Sequence, residues 1–174
     1  MVGDNTRGDR EKDDFYATPP EATQALLNVE KFEGVIWEPC CGQGHISEVL
    51  ISNGYDVESS DIADRGYGDR VDFLKIFESR TDNIITNPPY KNGLQFIHRA
   101  LDLADKKVAM ILPLRYLEGV ARVDFYKKFR PARVWIFKRR ISMMKEGQEK
   151  SAGIMAFAWF VWDGVVDKTE IDWI

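Results

Sequence analysis

The chain has 174 residues, which is enough for one α/β domain and leaves no room for a second domain of ordinary length. Its composition, 44% apolar and 12% aromatic, is that of a globular protein, and the longest apolar run, Ile154 to Trp162, is too short to cross a bilayer. A net charge of -4 argues against a protein that coats nucleic acid, because sequence-independent affinity for DNA comes mainly from Lys and Arg at the phosphates.

The first fourteen residues, Met1 to Asp14, are polar and rich in Asp, Arg and Gly. They lack the apolar stretch of a signal peptide, so we expect a disordered or loosely attached tail ahead of one folded domain, residues 15–174. The only cysteines, Cys40 and Cys41, are adjacent, which disfavours a mutual disulfide and leaves no spaced ligands for zinc. These features favour a cytoplasmic protein without a metal site.

After the tail, helical and strand patterns alternate, as in a parallel sheet covered by helices. Thr18 to Glu21 has the signature of a helix start, with Thr18 as the cap and Glu21 reaching back to it, and this helix is predicted to end near Val29. Further helices are predicted at 45–53, 94–104 and 117–129. Strands are predicted at 35–38, 55–61, 82–86, 107–112, 133–137 and 154–162, and a mobile loop at 141–151.

A glycine loop, Glu38-Pro39-Cys40-Cys41-Gly42-Gln43-Gly44, follows the first predicted strand and lets a ligand approach bare backbone. A dinucleotide fingerprint would need a third glycine at Ser47, and Glu38 would repel a phosphate. A carboxylate there suits a ligand that carries an ammonium and a sulfonium, such as S-adenosylmethionine. Asp61, at the end of the next strand, stands where an acid commonly accepts ribose hydroxyls. Both acids also occur as ordinary strand-end residues, so the loop alone leaves the cofactor open.

The segment Asn87-Pro88-Pro89-Tyr90 directly follows an apolar strand and is more specific. At the carboxyl end of a parallel strand it would face the crevice where open α/β sheets bind ligands. The Asn87 side-chain oxygen and the Pro88 carbonyl can each accept one N–H bond, which aims a planar, weakly basic nitrogen at an electrophilic methyl group. Tyr90 offers a flat face on which an extruded base can stack. A structural turn, with Asn87 as a local cap and Tyr90 as packing, is the alternative interpretation.

With these motifs the sequence resembles the S-adenosylmethionine-dependent amino-methyltransferases, and among them the small phage-type and orphan DNA adenine-N6 methyltransferases. Phe15-Tyr16-Ala17-Thr18-Pro19 is similar to the family motif that closes over the methionine part of the cofactor. Glu38 to Gly44 resembles the cofactor loop and Asp61 the ribose-binding acid. Asp72-Phe73 resembles the pair that contacts the cofactor's adenine, and Asn87 to Tyr90 matches the catalytic motif.

The resemblance implies one catalytic domain with a Rossmann-like class I methyltransferase fold, a mostly parallel twisted sheet with an antiparallel last strand and helices on both faces. It implies methyl transfer from S-adenosylmethionine to the N6 amine of adenine in DNA, with the adenine flipped from the duplex. The implied catalytic residues are Asn87, Pro88, Pro89 and Tyr90. The implied cofactor-binding residues are Tyr16, Thr18, Pro19, Glu38, Pro39, Gly42, Gly44, Asp61, Ile62, Asp72, Phe73 and Asn87.

Basic residues are concentrated between Arg122 and Lys145, where Asp124 is the only acid. Solvation of a surface helix explains such a run in many proteins. Sequence-specific family members usually carry a separate target-recognition domain, and no segment here is long enough to be one. We therefore expect the DNA backbone to be held near the site by four residues, Lys138, Arg139, Arg140 and Lys145.

Two alternatives remain open at the level of sequence. The Asn-Pro-Pro-Tyr motif also occurs in methyltransferases that act on glutamine amides of proteins and on guanine N2 of ribosomal RNA. A non-catalytic nucleic-acid-binding module that keeps the fold is disfavoured by the intact motif, and binding of DNA without the cofactor would identify it. His45 and His98 stand at predicted helix positions and receive no role, and the oligomeric state is open.

Overall fold

The computed structural model describes residues 16–78, 80–143 and 155–174. The predicted tail, residues 1–14, lies outside the described residues, as do Lys145 and most of the predicted loop 141–151. Within the described ranges, no helix is both long enough and apolar enough to cross a membrane.

The described chain folds into helices and strands in the alternating order that the sequence predicts. The helices are α1 (Pro20–Val29), α2 (His45–Ser52), α3 (Gly93–Leu103) and α4 (Val120–Lys128). The strands are β1 (Ile36–Glu38), β2 (Val57–Asp61), β3 (Asp69–Arg70), β4 (Thr81–Thr86), β5 (Ala104–Pro113), β6 (Arg133–Ile136), β7 (Phe157–Asp163) and β8 (Glu170–Trp173).

The strands form a sheet in the order β3-β2-β1-β4-β5-β7-β6-β8. Strand β7 runs antiparallel to both β5 and β6, and the remaining neighbours are parallel. This topology confirms the predicted fold class. Strands β3 and β8 were not predicted from the sequence. By pairing with β6, β8 extends the sheet beyond the antiparallel strand β7.

Helices cover both faces of the sheet, so its central strands are buried on both sides. In β5, Val108, Met110 and Leu112 join the apolar cluster that contains α3, whereas Ala109 and Ile111 join the cluster that contains α1 and α2. Strands buried on both faces carry nearly continuous apolar runs, as β5 does from residue 108 onward. Polar side chains that form ion pairs or could bind a ligand therefore lie mainly at the two edges of the sheet, where the strands begin and end.

The predicted start of α1 is wrong in its detail. Pro19 is the N-cap, Pro20 is the first helical residue, and no side chain caps the helix. Thr18 lies one position too early to cap, and its hydroxyl instead accepts a hydrogen bond from Asn87 Nδ2 at 3.1 Å. The capping box with Glu21 is therefore absent from this helix.

The helix predicted at 117–129 is also shorter than expected. A 3₁₀ turn covers Leu114–Leu117, and α4 begins only at Val120. Gly119 lies between them with a φ of 103°, a left-handed conformation that interrupts helical hydrogen bonding.

The last long strand begins at Phe157, and its predicted start, Ile154, lies outside the described residues.

A polar network fixes α1 to the end of the sheet at which the parallel strands begin. The carboxylate of Glu30, 3% exposed, accepts hydrogen bonds from Arg133, from Lys107 at 3.1 Å and from the Trp135 indole at 2.9 Å. Asp163 pairs with Arg133 at 2.7 Å and with Lys107 at 3.5 Å. Burial alone would raise the pKa of Glu30, but the bonds from Arg133, Trp135 and Lys107 outweigh it and hold this pKa below its ordinary value.

We expect Glu30→Gln to lower the free energy of unfolding by about 2–3 kcal/mol at neutral pH, because Arg133 and Lys107 lose a buried anionic partner. Because the pKa of Glu30 is lowered in the folded protein, the stability that its carboxylate contributes is fully present above the ordinary pKa of 4.5. This stability is lost as the pH falls through the lower pKa of the folded protein. The difference in the free energy of unfolding between Glu30→Gln and the parent protein, measured by urea unfolding, should therefore become smaller at acidic pH.

Glu33→Gln is the matched control, since it removes the same charge from an exposed carboxylate three residues away. Its effect should stay within about 0.5 kcal/mol. Equal effects of the two substitutions, or a difference that does not depend on pH, would contradict the assigned role of Glu30.

Candidate active site

A cavity opens at the edge of the sheet where the parallel strands β1, β2 and β4 end. Its lining brings together most of the residues that the sequence predicts for the site, namely Tyr16, Thr18, Glu38, Pro39, Asp61, Ile62, Asp72, Phe73, Asn87 and Pro89. Among the described residues, five of the predicted catalytic and cofactor-binding ones do not line it: Pro19, Gly42, Gly44, Pro88 and Tyr90. Residues that are distant in sequence thus share one wall because parallel strands end at one edge.

Asp61 connects the end of β2 to the glycine loop. Its carboxylate accepts a hydrogen bond from the Gly42 amide at 2.9 Å and another from the Ala63 amide at 2.9 Å. Gly42 has a φ of 54°, which favours glycine, so the loop adopts a path that places its amide on the acid. Each carboxylate oxygen keeps a second acceptor position, and Asp61 can therefore hold the loop and bind ligand hydroxyls together.

Gly44 does not line the cavity, and its role in the loop is conformational. Its φ is 87°, and a Cβ at this position would lie 2.4 Å from the ring of Tyr67. The segment after β2 therefore packs directly on the backbone of the glycine loop. Both glycines lie in the loop, as the sequence predicts, and their contact with the cofactor stays a prediction.

Glu38 is 1% exposed at the end of β1 and is bound to the first turn of α2. Its carboxylate accepts hydrogen bonds from the Ser47 amide at 2.8 Å and from the Ser47 hydroxyl. Burial raises the pKa of Glu38 to about 8, the bonds from Ser47 oppose this rise, and the nearby charge of Asp61 adds to it. A cationic group bound in the cavity would favour the ionised form of Glu38.

The Asn87 side chain lies just past the end of β4, and its amide nitrogen is held by the segment before α1. Nδ2 donates to the backbone carbonyl of Tyr16 at 3.1 Å and to the Thr18 hydroxyl at 3.1 Å, and it lies 3.9 Å from the sulfur of Met143. Since an amide nitrogen carries two hydrogens, these acceptors occupy it. The amide oxygen is left to accept hydrogen bonds from another group.

Tyr90 is held by aromatic neighbours and through its backbone. Its ring centroid lies 6.2 Å from that of Tyr16, with 14° between the ring planes, and 5.8 Å from that of Phe157. The Tyr116 hydroxyl donates to the carbonyl of Tyr90, and a Cβ at Gly93 would lie 2.2 Å from this hydroxyl. Tyr116 was missed by the sequence analysis, because only its position just past the end of β5 hints at the site.

The predicted pair Asp72 and Phe73 lines the same cavity as Asn87. Phe73 is 2% exposed and packs on Phe96 with 5.5 Å between ring centroids and on Trp37 with 5.2 Å. Asp72 is half-buried and pairs with Lys75 at 3.0 Å. Phe73 is thus a core residue that presents only part of its ring to the cavity.

The cavity is also lined by residues for which the sequence analysis gave no role, and these include Ala17, Cys40, Cys41, His45, Ile46, Arg65, Val71, Leu74, Asn92 and Phe96. His45 is the first residue of α2, and its place directly after the glycine loop was the available signal. Burial raises the pKa of Cys40 and raises that of Cys41 to about 12, so neither thiol is a ready nucleophile.

The basic run does not form one continuous patch. Arg133 belongs to the network around Glu30, and Arg122 donates to the carbonyls of Arg115 and Glu118. Lys138, Arg139 and Arg140 are exposed directly after β6, and the same segment leads to Met143 beside Asn87.

Lys145 lies outside the described residues. Within the described ranges, no group of three or more His, Cys, Asp or Glu side chains is arranged to hold a metal ion.

Comparison with known proteins gives the fold. No family model and no curated protein matches the chain. Among solved structures, it is similar to the "putative RNA methyltransferase PH1948" of Pyrococcus horikoshii, with 19% identity and a TM-score of 0.67 over 87% of each chain.

Two further solved structures share this architecture. The modification subunit of a "putative type I restriction enzyme" from Vibrio vulnificus has 12% identity and a TM-score of 0.60, over 88% of this chain and 45% of that one. Magnesium protoporphyrin IX methyltransferase from Synechocystis, with bound S-adenosylhomocysteine, has 14% identity and a TM-score of 0.54, over 81% and 78%. The chain therefore has the Rossmann-like class I methyltransferase fold.

Proposed function

We propose that the chain is an S-adenosylmethionine-dependent methyltransferase that methylates the N6 amine of adenine in DNA. The observation that carries this proposal is the fixed Asn87 amide, whose nitrogen donates to Tyr16 and Thr18. Asn87 lines the cavity just past the end of β4, and we infer that its oxygen accepts hydrogen bonds from a group bound there. An acceptor fixed at this position is what an incoming NH2 group needs in order to be aimed.

The acids of the cavity suit this cofactor. Asp61 is placed to accept ribose hydroxyls, and Glu38 suits the ammonium group of the methionine part. We assign the adenine of the cofactor to Asp72 and Phe73, beyond the end of β2. The methyltransferase from Synechocystis is known with S-adenosylmethionine and with S-adenosylhomocysteine bound, which supports the same cofactor for this fold. When bound, S-adenosylmethionine supplies an electrophilic methyl group on a sulfonium sulfur, which leaves with the bonding electron pair.

The protein's part in the reaction is to orient the amine. The lone pair of an adenine amine is delocalised into the ring, so this nitrogen is a weak nucleophile unless it is aimed. The Asn87 oxygen and the Pro88 carbonyl accept its two N–H bonds and turn the lone pair toward the methyl group. Positioning of this kind supplies about 7–11 kcal/mol, so the site needs no strong base. After the transfer the methylated nitrogen is positively charged and releases one of its protons to water. Neither buried thiol is required.

Tyr90 completes the substrate side of the site. An adenine flipped from the duplex would stack on its ring, and such stacking contributes about 1–3 kcal/mol for a base. Because Tyr116 holds the Tyr90 carbonyl and Phe157 packs near the ring, Tyr90 cannot swing freely. A rigid platform lowers the cost of ordering the base.

Lys138, Arg139 and Arg140, together with Lys145, are proposed to bind the phosphates beside the flipped base. The first three are exposed on the segment that runs from β6 to Met143, which contacts Asn87. A short basic segment of this kind supplies phosphate contacts without base-specific ones. We therefore expect weak sequence preference.

RNA is the second candidate substrate. It is favoured by the likeness to PH1948, which is named as an RNA methyltransferase and matches over 87% of both chains. Guanine N2 in RNA and the glutamine amide of a protein present the same kind of NH2 group to Asn87. The acceptor therefore has to be identified by assay, with DNA, RNA and protein tested in parallel.

Asn87→Ala should abolish tritiated methyl transfer from S-adenosylmethionine to DNA while the affinity for S-adenosylhomocysteine stays nearly intact, since the main loss is the acceptor that aims the amine. Asp61→Ala is the reciprocal control, and it should weaken S-adenosylhomocysteine by at least about tenfold, because it removes acceptors for the ribose hydroxyls. Calorimetry measures the binding. Normal turnover by Asn87→Ala would refute the aiming of the amine, and transfer to RNA or protein alone would refute the DNA substrate.

Replacement of Arg139 and Arg140 by alanine should weaken DNA binding and lower the slope of log affinity against log salt by about 2, since each lost phosphate contact accounts for about 0.9. The double variant Lys127→Ala and Lys128→Ala removes the same charge from the last turn of α4 and serves as the control. Equal salt slopes in the two double variants would count against the assigned phosphate contacts.

A further inference from the structure

Thr18 is a buried side chain that contacts the catalytic motif as well as the cavity. It is 3% exposed and lies two residues before α1, and its hydroxyl is 3.1 Å from Asn87 Nδ2. The family resemblance implies a cofactor contact for this residue. We propose that Thr18 is instead a positioning residue, which fixes the orientation of the Asn87 amide and acts on catalysis through Asn87. This inference rests on the proposed function, in which the Asn87 oxygen receives the amine.

The first step of the argument is the choice between the two orientations of an asparagine amide. Rotation by half a turn exchanges oxygen and nitrogen with almost no change of shape, so hydrogen bonding decides between them. The Tyr16 carbonyl, 3.1 Å from Nδ2, can only accept, and it would repel the oxygen in the reversed amide. A hydroxyl can accept or donate, so Thr18 alone does not choose the orientation. It binds the second N–H and so holds the orientation that Tyr16 selects.

The second step is that the local sequence leaves the Thr18 hydroxyl available for this contact. A threonine before a helix normally accepts from backbone N–H groups of the first turn. Pro19 and Pro20 have no N–H, and no side chain caps α1. The two prolines therefore remove the nearest competing donors, and the hydroxyl turns to Asn87.

The third step is that Thr18 is held by a rigid element. The first turn of α1 contains Ala22, which is fully buried and whose carbonyl accepts a hydrogen bond from the Trp159 indole at 2.8 Å. Trp159 lies in the middle of β7 and is itself fully buried. The position of the Thr18 hydroxyl is thus set by the core, and burial keeps bulk water from replacing it.

The test compares two substitutions of Thr18. Thr18→Val keeps the shape and removes the hydroxyl, and kcat for DNA at saturating S-adenosylmethionine should fall about tenfold. Thr18→Ser keeps the hydroxyl and should stay within about twofold of the parent protein. Both variants should bind S-adenosylhomocysteine and melt as the parent protein does. A normal kcat with weaker binding in Thr18→Val would identify a cofactor ligand and overturn the proposal.

A second readout does not depend on the substrate. The side-chain amide signals of Asn87 in a ¹⁵N NMR spectrum can be assigned by their loss in Asn87→Ala. Their exchange with water should be faster in Thr18→Val and restored in Thr18→Ser, because one N–H loses its buried acceptor. Unchanged exchange would overturn the proposal. If the parent protein methylates no DNA and the exchange still behaves as predicted, the proposed substrate is refuted and the role of Thr18 stands.

Discussion

The hydrogen bonds from the Asn87 amide to Tyr16 and Thr18 join the segment before α1 to the end of β4, and the geometry of the site depends on them. They hold the amide nitrogen on Tyr16 and Thr18, which leaves the amide oxygen to accept hydrogen bonds from another group. An amide held in this sense presents an oxygen, which receives a donor such as NH2, whereas the reversed amide would present hydrogens. The chemistry that the pocket supports thus follows from two contacts that lie outside the motif itself.

The sheet explains why this arrangement forms at one edge of the molecule. Parallel strands β1, β2 and β4 deliver Glu38, Asp61 and Asn87 to the same edge, where the backbone leaves the sheet and polar groups can reach a ligand. At the other edge the network around Glu30 closes the core, and its charges satisfy one another. The two polar clusters therefore have different tasks, and the apolar interior between them keeps them separate.

Periodicity and turn chemistry were sufficient to predict a parallel sheet covered by helices and most of its elements, because β5 and β7 carry long apolar runs. The methyltransferase fold within that class was implied by the family resemblance. The strands β3 and β8 escaped prediction, since β3 has two residues and β8 is exposed at every position, so neither has a buried pattern. The glycine loop and the motif at Asn87 were recognisable because each directly follows an apolar strand, at the end of the sheet where open α/β folds bind ligands.

The details that sequence could not give arise from tertiary packing. Thr18 looked like a helix cap, and the proline after it changed its partner from the helix to Asn87. The concentration of basic residues between Arg122 and Lys145 was evident from the sequence, but the pairing of Arg133 with Glu30 inside the network was not. Tyr116 supports Tyr90 from the next strand end, a contact that only the order of β4 and β5 creates. In each case a residue's partner lies far away in sequence.

A crystal structure of the protein with S-adenosylhomocysteine is the most direct test of this account. We expect the ligand in the cavity with its ribose on Asp61 and its sulfur turned toward the Asn87 oxygen. The gap between that sulfur and that oxygen should leave room for a methyl group and an incoming amine, whose reacting atoms need to lie about 3–3.5 Å apart. A ligand bound elsewhere, or an Asn87 amide that presents its nitrogen to the cavity, would contradict this account.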